Sequence, residues 1–127
     1  NFTGSGIDTA NWMRDNMKMP DDNTKEFLGD RRLMEISMPG SHDSGMSRST
    51  LTTPGANDSQ TLTHTNNIFG QLNLGTRFFD IRPVHTNGAY YTAHLQGQDL
   101  SVKDIQIAKF LGATGQPIDE IINQVND

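Results

Sequence analysis

Six residues, 83–88, separate the apolar segments Thr76-Arg77-Phe78-Phe79-Asp80-Ile81-Arg82 and Ala89-Tyr90-Tyr91-Thr92-Ala93-His94. That short interval restricts the topology more than any other feature of the chain. A parallel crossover needs about a dozen residues or more, usually including a helix. The interval instead carries Asn87-Gly88, a pair suited to the positive φ angles of a tight hairpin turn. The two segments are therefore read as antiparallel strands. A two-residue turn sets His94 opposite Ile81, on the other face from Asp80 and Arg82. Because Pro83 disrupts the ladder, a one-residue bulge is expected to bring His94 opposite Arg82 or Asp80.

Around this hairpin the pattern alternates strands and helices. Arg32–Met38 is read as an earlier strand ended by Pro39-Gly40. Residues 7–17 read as a short amphipathic helix capped by Asp8 or Thr9, with Trp12 and Met13 on its packed face; Pro20-Asp21-Asp22 then interrupts. Asn66–Leu74 reads as a helix with Ile68, Phe69 and Leu72 at helical spacing and Gly75 as its stop. A further helix is expected over Pro117–Val125, with proline at a favoured first-turn position. Residues 46–60, rich in Ser, Thr, Gly and Asn, read as a surface loop. His64 is assigned to a solvated loop, and Tyr90 and Tyr91 to strand packing.

Composition bounds the function. The 127 residues suffice for one domain. A net charge of −5 argues against nucleic acid, which demands clustered Lys and Arg, and against strong attraction to an anionic membrane. The absence of cysteine excludes disulfides and thiolate metal sites, and it fits a secreted enzyme as well as a cytosolic one. No run approaches the roughly 18 apolar residues of a membrane span. Asn1 in place of Met, and Asp127 within a helical pattern, are read as cuts in a longer chain.

Three polar signals stand at the ends of the three apolar strands: His42-Asp43, Asp80-x-Arg82 and His94. The carboxyl ends of strands are where reacting groups gather in parallel α/β architectures. Two histidines, an arginine and two carboxylates suit phosphoryl chemistry. One imidazole accepts a proton while the other donates one near neutrality. A guanidinium matches phosphate oxygens in a bidentate manner. Taken alone, Asp80-Ile81-Arg82 reads as a structural ion pair; the motif upstream turns the reading to function. A metal site of His42, Asp43, Asp80 and His94 has suitable ligand types, but Arg82 in its midst repels a cation.

Leu33-Met34-Glu35-Ile36-Ser37-Met38-Pro39-Gly40-Ser41-His42-Asp43-Ser44-Gly45 resembles the signature of bacterial-type phosphatidylinositol-specific phospholipase C (X-domain) proteins, in which a strand runs into Pro-Gly-Thr/Ser-His-Asp-Ser. Leu74-Gly75-Thr76-Arg77-Phe78-Phe79-Asp80-Ile81-Arg82 is similar to that family's second motif, and Asn11-Trp12-Met13 is also similar to family members. The resemblance implies an α/β fold, the first half of a distorted (β/α)8 TIM barrel with a β-hairpin after the second strand. It places residues 1–127 as the amino-terminal part of one catalytic barrel whose carboxyl-terminal half is missing. It implies a lyase that splits phosphatidylinositol, presented at a membrane surface, into diacylglycerol and a cyclic inositol phosphate. His42 would be the general base, Arg82 the phosphate ligand and His94 the general acid. Asp43 would orient the acid histidine and Asp80 support the arginine. In calcium-dependent relatives a metal ligand replaces the arginine and an Asn follows the first histidine. Arg82 and Asp43 thus imply the metal-independent branch, with no cofactor.

Where the family shows His-Gly at the second histidine, His94 is followed by Leu95-Gln96-Gly97, so His85 stays open as the acid. The carboxylate orienting His42 is expected beyond residue 127. Two other functions remain open: a related phosphodiesterase for another headgroup, and a non-catalytic headgroup-binding module with the same fold. A secreted protein is expected, and the isolated half barrel is expected to be inactive and poorly soluble.

Overall fold

In the computed structural model the described residues are 10–17, 28–96, 106 and 110–127. The hairpin forms as the Asn87-Gly88 pair predicts. Both residues have positive φ, 51° and 76°, and they join β4 (Pro83–Thr86) to β5 (Ala89–Gln96) in antiparallel register. Pro83 sits on the edge of the sheet, where its missing N–H breaks no ladder bond. The helix before it also forms: α3 (Ile68–Asn73) is capped by the Asn67 side chain on the Gly70 N–H and ends at Gly75, φ 98°. At the far end, α4 (Ile118–Asn126) starts directly after Pro117. The first helix is described only as α1 (Trp12–Met17), so its expected caps Asp8 and Thr9, and the Pro20-Asp21-Asp22 break, lie outside the described residues.

The strand expected over 32–38 is absent. Leu33–Glu35 forms a 3₁₀ turn in which Arg32 N–H donates to the Glu35 carboxylate, and Leu33 and Met34 are 72% and 85% exposed. Pairing starts only beyond it. The Pro39 carbonyl accepts from Arg77 and Phe78 N–H, and β1 (Gly40–Ser41) then pairs in parallel with β3 (Phe78–Phe79). Gly40 thus lies in a strand rather than ending one. The strand expected over Thr76–Arg82 shrinks to the two residues of β3, because its parallel partner offers only two. A parallel pair needs a long crossover, and residues 42–77 supply it, carrying α2 (Asp58–Thr61) and α3.

The supposed loop 46–60 contributes β2 (Leu51–Thr52) as well as the start of α2. The pattern also concealed β6 (Leu111–Pro117), which sits between β2 and β5 in an antiparallel sheet of order β2-β6-β5-β4. Neither period nor bulk marks β6, since Gly112 to Gln116 are all buried. Gly115 is required there: a Cβ would strike the Gly45 carbonyl and come within 2.7 Å of Met46 Sδ and 2.8 Å of Thr92 Oγ1. The described residues form a mixed α/β arrangement of two sheets, neither closed into a barrel.

The interior is small and strongly polar. Val84 and Ala93 form its apolar centre, with Tyr91, Leu95 and Phe110 packed against them. Elsewhere buried threonines and glutamines are satisfied mainly by backbone carbonyls, as Thr53 on Gly112, Thr92 on Gln116 and Gln71 on Ser44 show. Thr50 and Thr114 hydroxyls lie 2.7 Å apart. Gln116 accepts from Ile68 N–H and donates to Glu120 and Gln124, fastening α3 and α4 to β6.

Candidate active site

The parallel pair β1–β3 sets two chain segments side by side where both leave the sheet. Asp80 N–H donates to the Ser41 carbonyl and Ser44 N–H to the Asp80 carbonyl, so His42-Asp43 and Asp80-Arg82 emerge as neighbours. Residues 80–82 then carry the chain from one sheet to the other. Beyond Pro83 the hairpin register continues only through Ala93 N–H, which donates to the Arg82 carbonyl at 2.9 Å. That bond delivers His94 to the same place.

The expected bulge is on the other edge of β5. Opposite β4 the register is unbroken, whereas opposite β6 it shifts between Tyr91 and Ala93. His94 reaches the cluster because residues 80–82 have already left the ladder, so strict alternation no longer governs where Arg82 points.

All five residues singled out in the sequence meet here. Asp43, its side chain 0% exposed, is the centre. Its Oδ2 lies 2.7 Å from His94 Nδ1 and 3.4 Å from His42 Nε2, and its Oδ1 lies 3.0 Å from Arg82 Nε. The Oδ1 contact lacks hydrogen-bond geometry and is a contact of charges. Asp80 forms a second bridge: its Oδ2 is 2.9 Å from His42 Nδ1 and 3.0 Å from Arg82. The Arg82 guanidinium thus spans both carboxylates. Hydrogen bonding from Arg82, above all, holds the Asp80 carboxyl below its ordinary 3.8, helped by the Asp43 N–H and the charges of Arg82 and His42 and opposed by burial. Reciprocally, the Asp80 hydrogen bond raises the guanidinium further above its usual value.

These contacts assign protons. An ionised carboxylate only accepts, so His94 donates through Nδ1 to Asp43 and leaves Nε2 for other work. His42 is different: its Nδ1 lies 2.9 Å from Asp80 Oδ2 in a contact of charges, and 3.4 Å from an Arg82 terminal nitrogen, which can only donate. Within the chain, Asp80 is the carboxylate beside His42 Nδ1. His42 is 68% exposed and His94 33%, so both rings remain accessible. His85 lies elsewhere: its ring packs on Tyr90, 4.7 Å between centroids, near the turn of the hairpin. Tyr90 is four residues from His94 along β5, roughly 13 Å at strand rise.

Sequence reasoning missed the belt beneath His42. His64 is indeed on a loop, but its ring is only half exposed, with Nε2 2.5 Å from the His42 carbonyl and 3.0 Å from Ser41 Oγ. Ser41 donates to Gln71, whose amide donates in turn to the Ser44 and Asn66 carbonyls. Gln71 had a readable signal, falling three residues after Ile68 on the inward face of α3. His64 had none, since it belongs to no periodic element.

His42, Asp43 and Asp80 also present ligand atoms within 4.8 Å of one another, a spacing a metal ion would accept. The donor set is nonetheless built around an organic cation: both carboxylates already rest on Arg82, which a divalent ion would have to displace. Three hollows touch the cluster, one of them lined by Ser41, His42 and His64 among others. A second, of about 670 Å³, is lined by Gly40, Ser41, His42, Phe78, Phe79, Asp80 and Ile81. Another, of about 280 Å³ and lined by Gln60, Thr61, His94, Gln96 and Gly112 among others, opens beyond His94. Among the described residues no helix is long and apolar enough to cross a membrane.

No family model matches the chain, and no solved structure matches it significantly. Over 100 residues, 67% of this chain, it is 31% identical to a PI-PLC X domain-containing protein of Dictyostelium discoideum. The match covers 16% of that protein, so the chain spans only a small part of the length of the curated relative. This distant homology supports the phosphatidylinositol phospholipase C X-domain family, the same one that the two histidine and arginine motifs resemble.

Proposed function

We propose that the chain is the amino-terminal catalytic part of a metal-independent phosphodiesterase that cleaves phosphatidylinositol or a closely related phospholipid. The convergence of His42, Arg82 and His94 on buried Asp43 carries this reading. His42, with the Asp80 carboxylate beside its ring, takes the proton of the inositol hydroxyl next to the phosphate. That oxygen attacks phosphorus, and the negative charge gathering on the phosphoryl oxygens is met by Arg82. The bond to the diacylglycerol oxygen breaks as His94 supplies a proton from Nε2. Asp43 provides the counter-charge for the His94 imidazolium. The products are diacylglycerol and a cyclic inositol phosphate. The hollows on the His42 and His94 sides support the reading, since a phosphodiester lying across the cluster has one substituent for each.

In this reading the fold is the first half of a distorted (β/α)8 barrel, with β1 and β3 as neighbouring parallel barrel strands. A secreted protein acting at a membrane surface fits the same proposal. The test is product analysis of the full-length protein on phosphatidylinositol vesicles. Wild type is expected to release cyclic inositol phosphate, and His42→Ala to lose turnover by at least about a hundredfold while retaining vesicle binding. Equal turnover in both proteins would refute the assignment. Binding without turnover in either would establish a headgroup-binding module instead.

A further inference from the structure

His42 is the most exposed member of the cluster, and the residue after it, Asp43, has φ 47°, a left-handed conformation uncommon outside glycine, Asn and Asp. Such a conformation persists only where the surroundings over-determine it. On one side the restraint is clear: Ser44 N–H and Asp43 N–H face Asp80, and the Gly45 carbonyl accepts from Gln116 N–H on β6. On the other side the peptide joining His42 to Asp43 presents its carbonyl to a single side chain, His64.

A carbonyl has no proton to give, so His64 Nε2 must carry one, and it donates to the His42 carbonyl at 2.5 Å. Ser41 Oγ spends its own proton on Gln71, so at 3.0 Å from the same nitrogen it is a second acceptor. Gln71 then holds the Ser44 carbonyl. Residues 41, 42 and 44 are in this way tied to one buried belt.

We infer that His64 is a positioning residue, fixing the 42–43 peptide so that the His42 ring is held between Asp80 and the phosphate position. The inference rests on the proposed role of His42 as base. Removing the N–H would leave the peptide held only through the long Asp43 N–H contact to Asp80, and would loosen the exposed ring beside it.

In the full-length protein His64→Ala is expected to lower kcat on phosphatidylinositol vesicles by about tenfold to a hundredfold, with KM held within about twofold. His64→Gln, whose amide N–H also extends from the ε position, is expected to restore kcat to within about threefold of wild type. Nitrogen NMR of labelled imidazoles adds a readout independent of turnover. His42 is expected as a single tautomer in wild type, as a mixture in His64→Ala, and as a single form again in His64→Gln. If His64→Ala does not fold, His64→Phe fills the space without an N–H and replaces it. Unchanged kcat and tautomer on removing the N–H would overturn the inference, and so would a glutamine variant no better than alanine in both measurements. Should wild type fail to turn over the lipid, the proposed function falls while the tautomer comparison still decides the part played by His64.

Discussion

At the scale of single residues, Arg82 and Asp80 carry the two plainest expectations. Arg82 Nε and its terminal nitrogen sit on both carboxylates that a metal ion would need. A chelator is therefore expected to leave turnover of phosphatidylinositol unchanged; loss of activity restored by added divalent cation would refute metal independence. Asp80 makes a statement about acid stability. Its carboxyl is held below 3.8 in the folded protein, so in acid the unfolded chain binds its proton first. The stabilisation is complete above about pH 4 and drains away as pH falls through the lowered folded value. Asp80→Asn is expected to be less stable than wild type at neutral pH but to lose less between about pH 4 and pH 2, so the two curves of urea midpoint against pH converge. Parallel curves across that range would contradict the argument.

Elements of the fold were legible in the sequence where local chemistry decides them. Asn87-Gly88 fixes a hairpin because few other pairs accept two positive φ angles, and Gly75, with φ 98°, stops α3. Motif residues 42, 43, 80, 82 and 94 were legible because they stand at or just beyond the ends of the segments read as strands, the first four within three residues of Pro39-Gly40 or Pro83. What could not be read depends on tertiary partners. Arg32–Met38 alternates like a strand but pairs with no strand among the described residues, and β6 looks like a loop because its residues are chosen to let other backbones approach. Two glycines test that distinction. Gly115→Ala drives a methyl group into the Gly45 carbonyl and should cost about 2–3 kcal/mol. Its turnover should fall too, since Gly45 ends the 42–45 segment. Gly88→Ala meets nothing within 4 Å and suffers only its φ of 76°, about 1 kcal/mol, with turnover unaltered. Thermal melts and steady-state rates of the two variants decide the matter; equal losses would show that β6 tolerates a side chain at 115.

On the scale of the whole molecule, two sheets of very different robustness share one cluster. His94 belongs to β5, a strand of eight residues paired on both edges, while His42 and Asp80 follow strands of two residues each. Stability is distributed unevenly in such a structure, with short, solvent-accessible ladders opening first. Deuterium should accordingly replace the amide protons of Ser44 and Asp80 well before those of Val84 and Ala93; simultaneous replacement would mean the sheets open together. Half of the proposed grip on a phosphate hangs from a ladder two rungs long. Warming should therefore silence catalysis while the hairpin still stands, so the temperature ceiling for work would lie beneath the ceiling for shape.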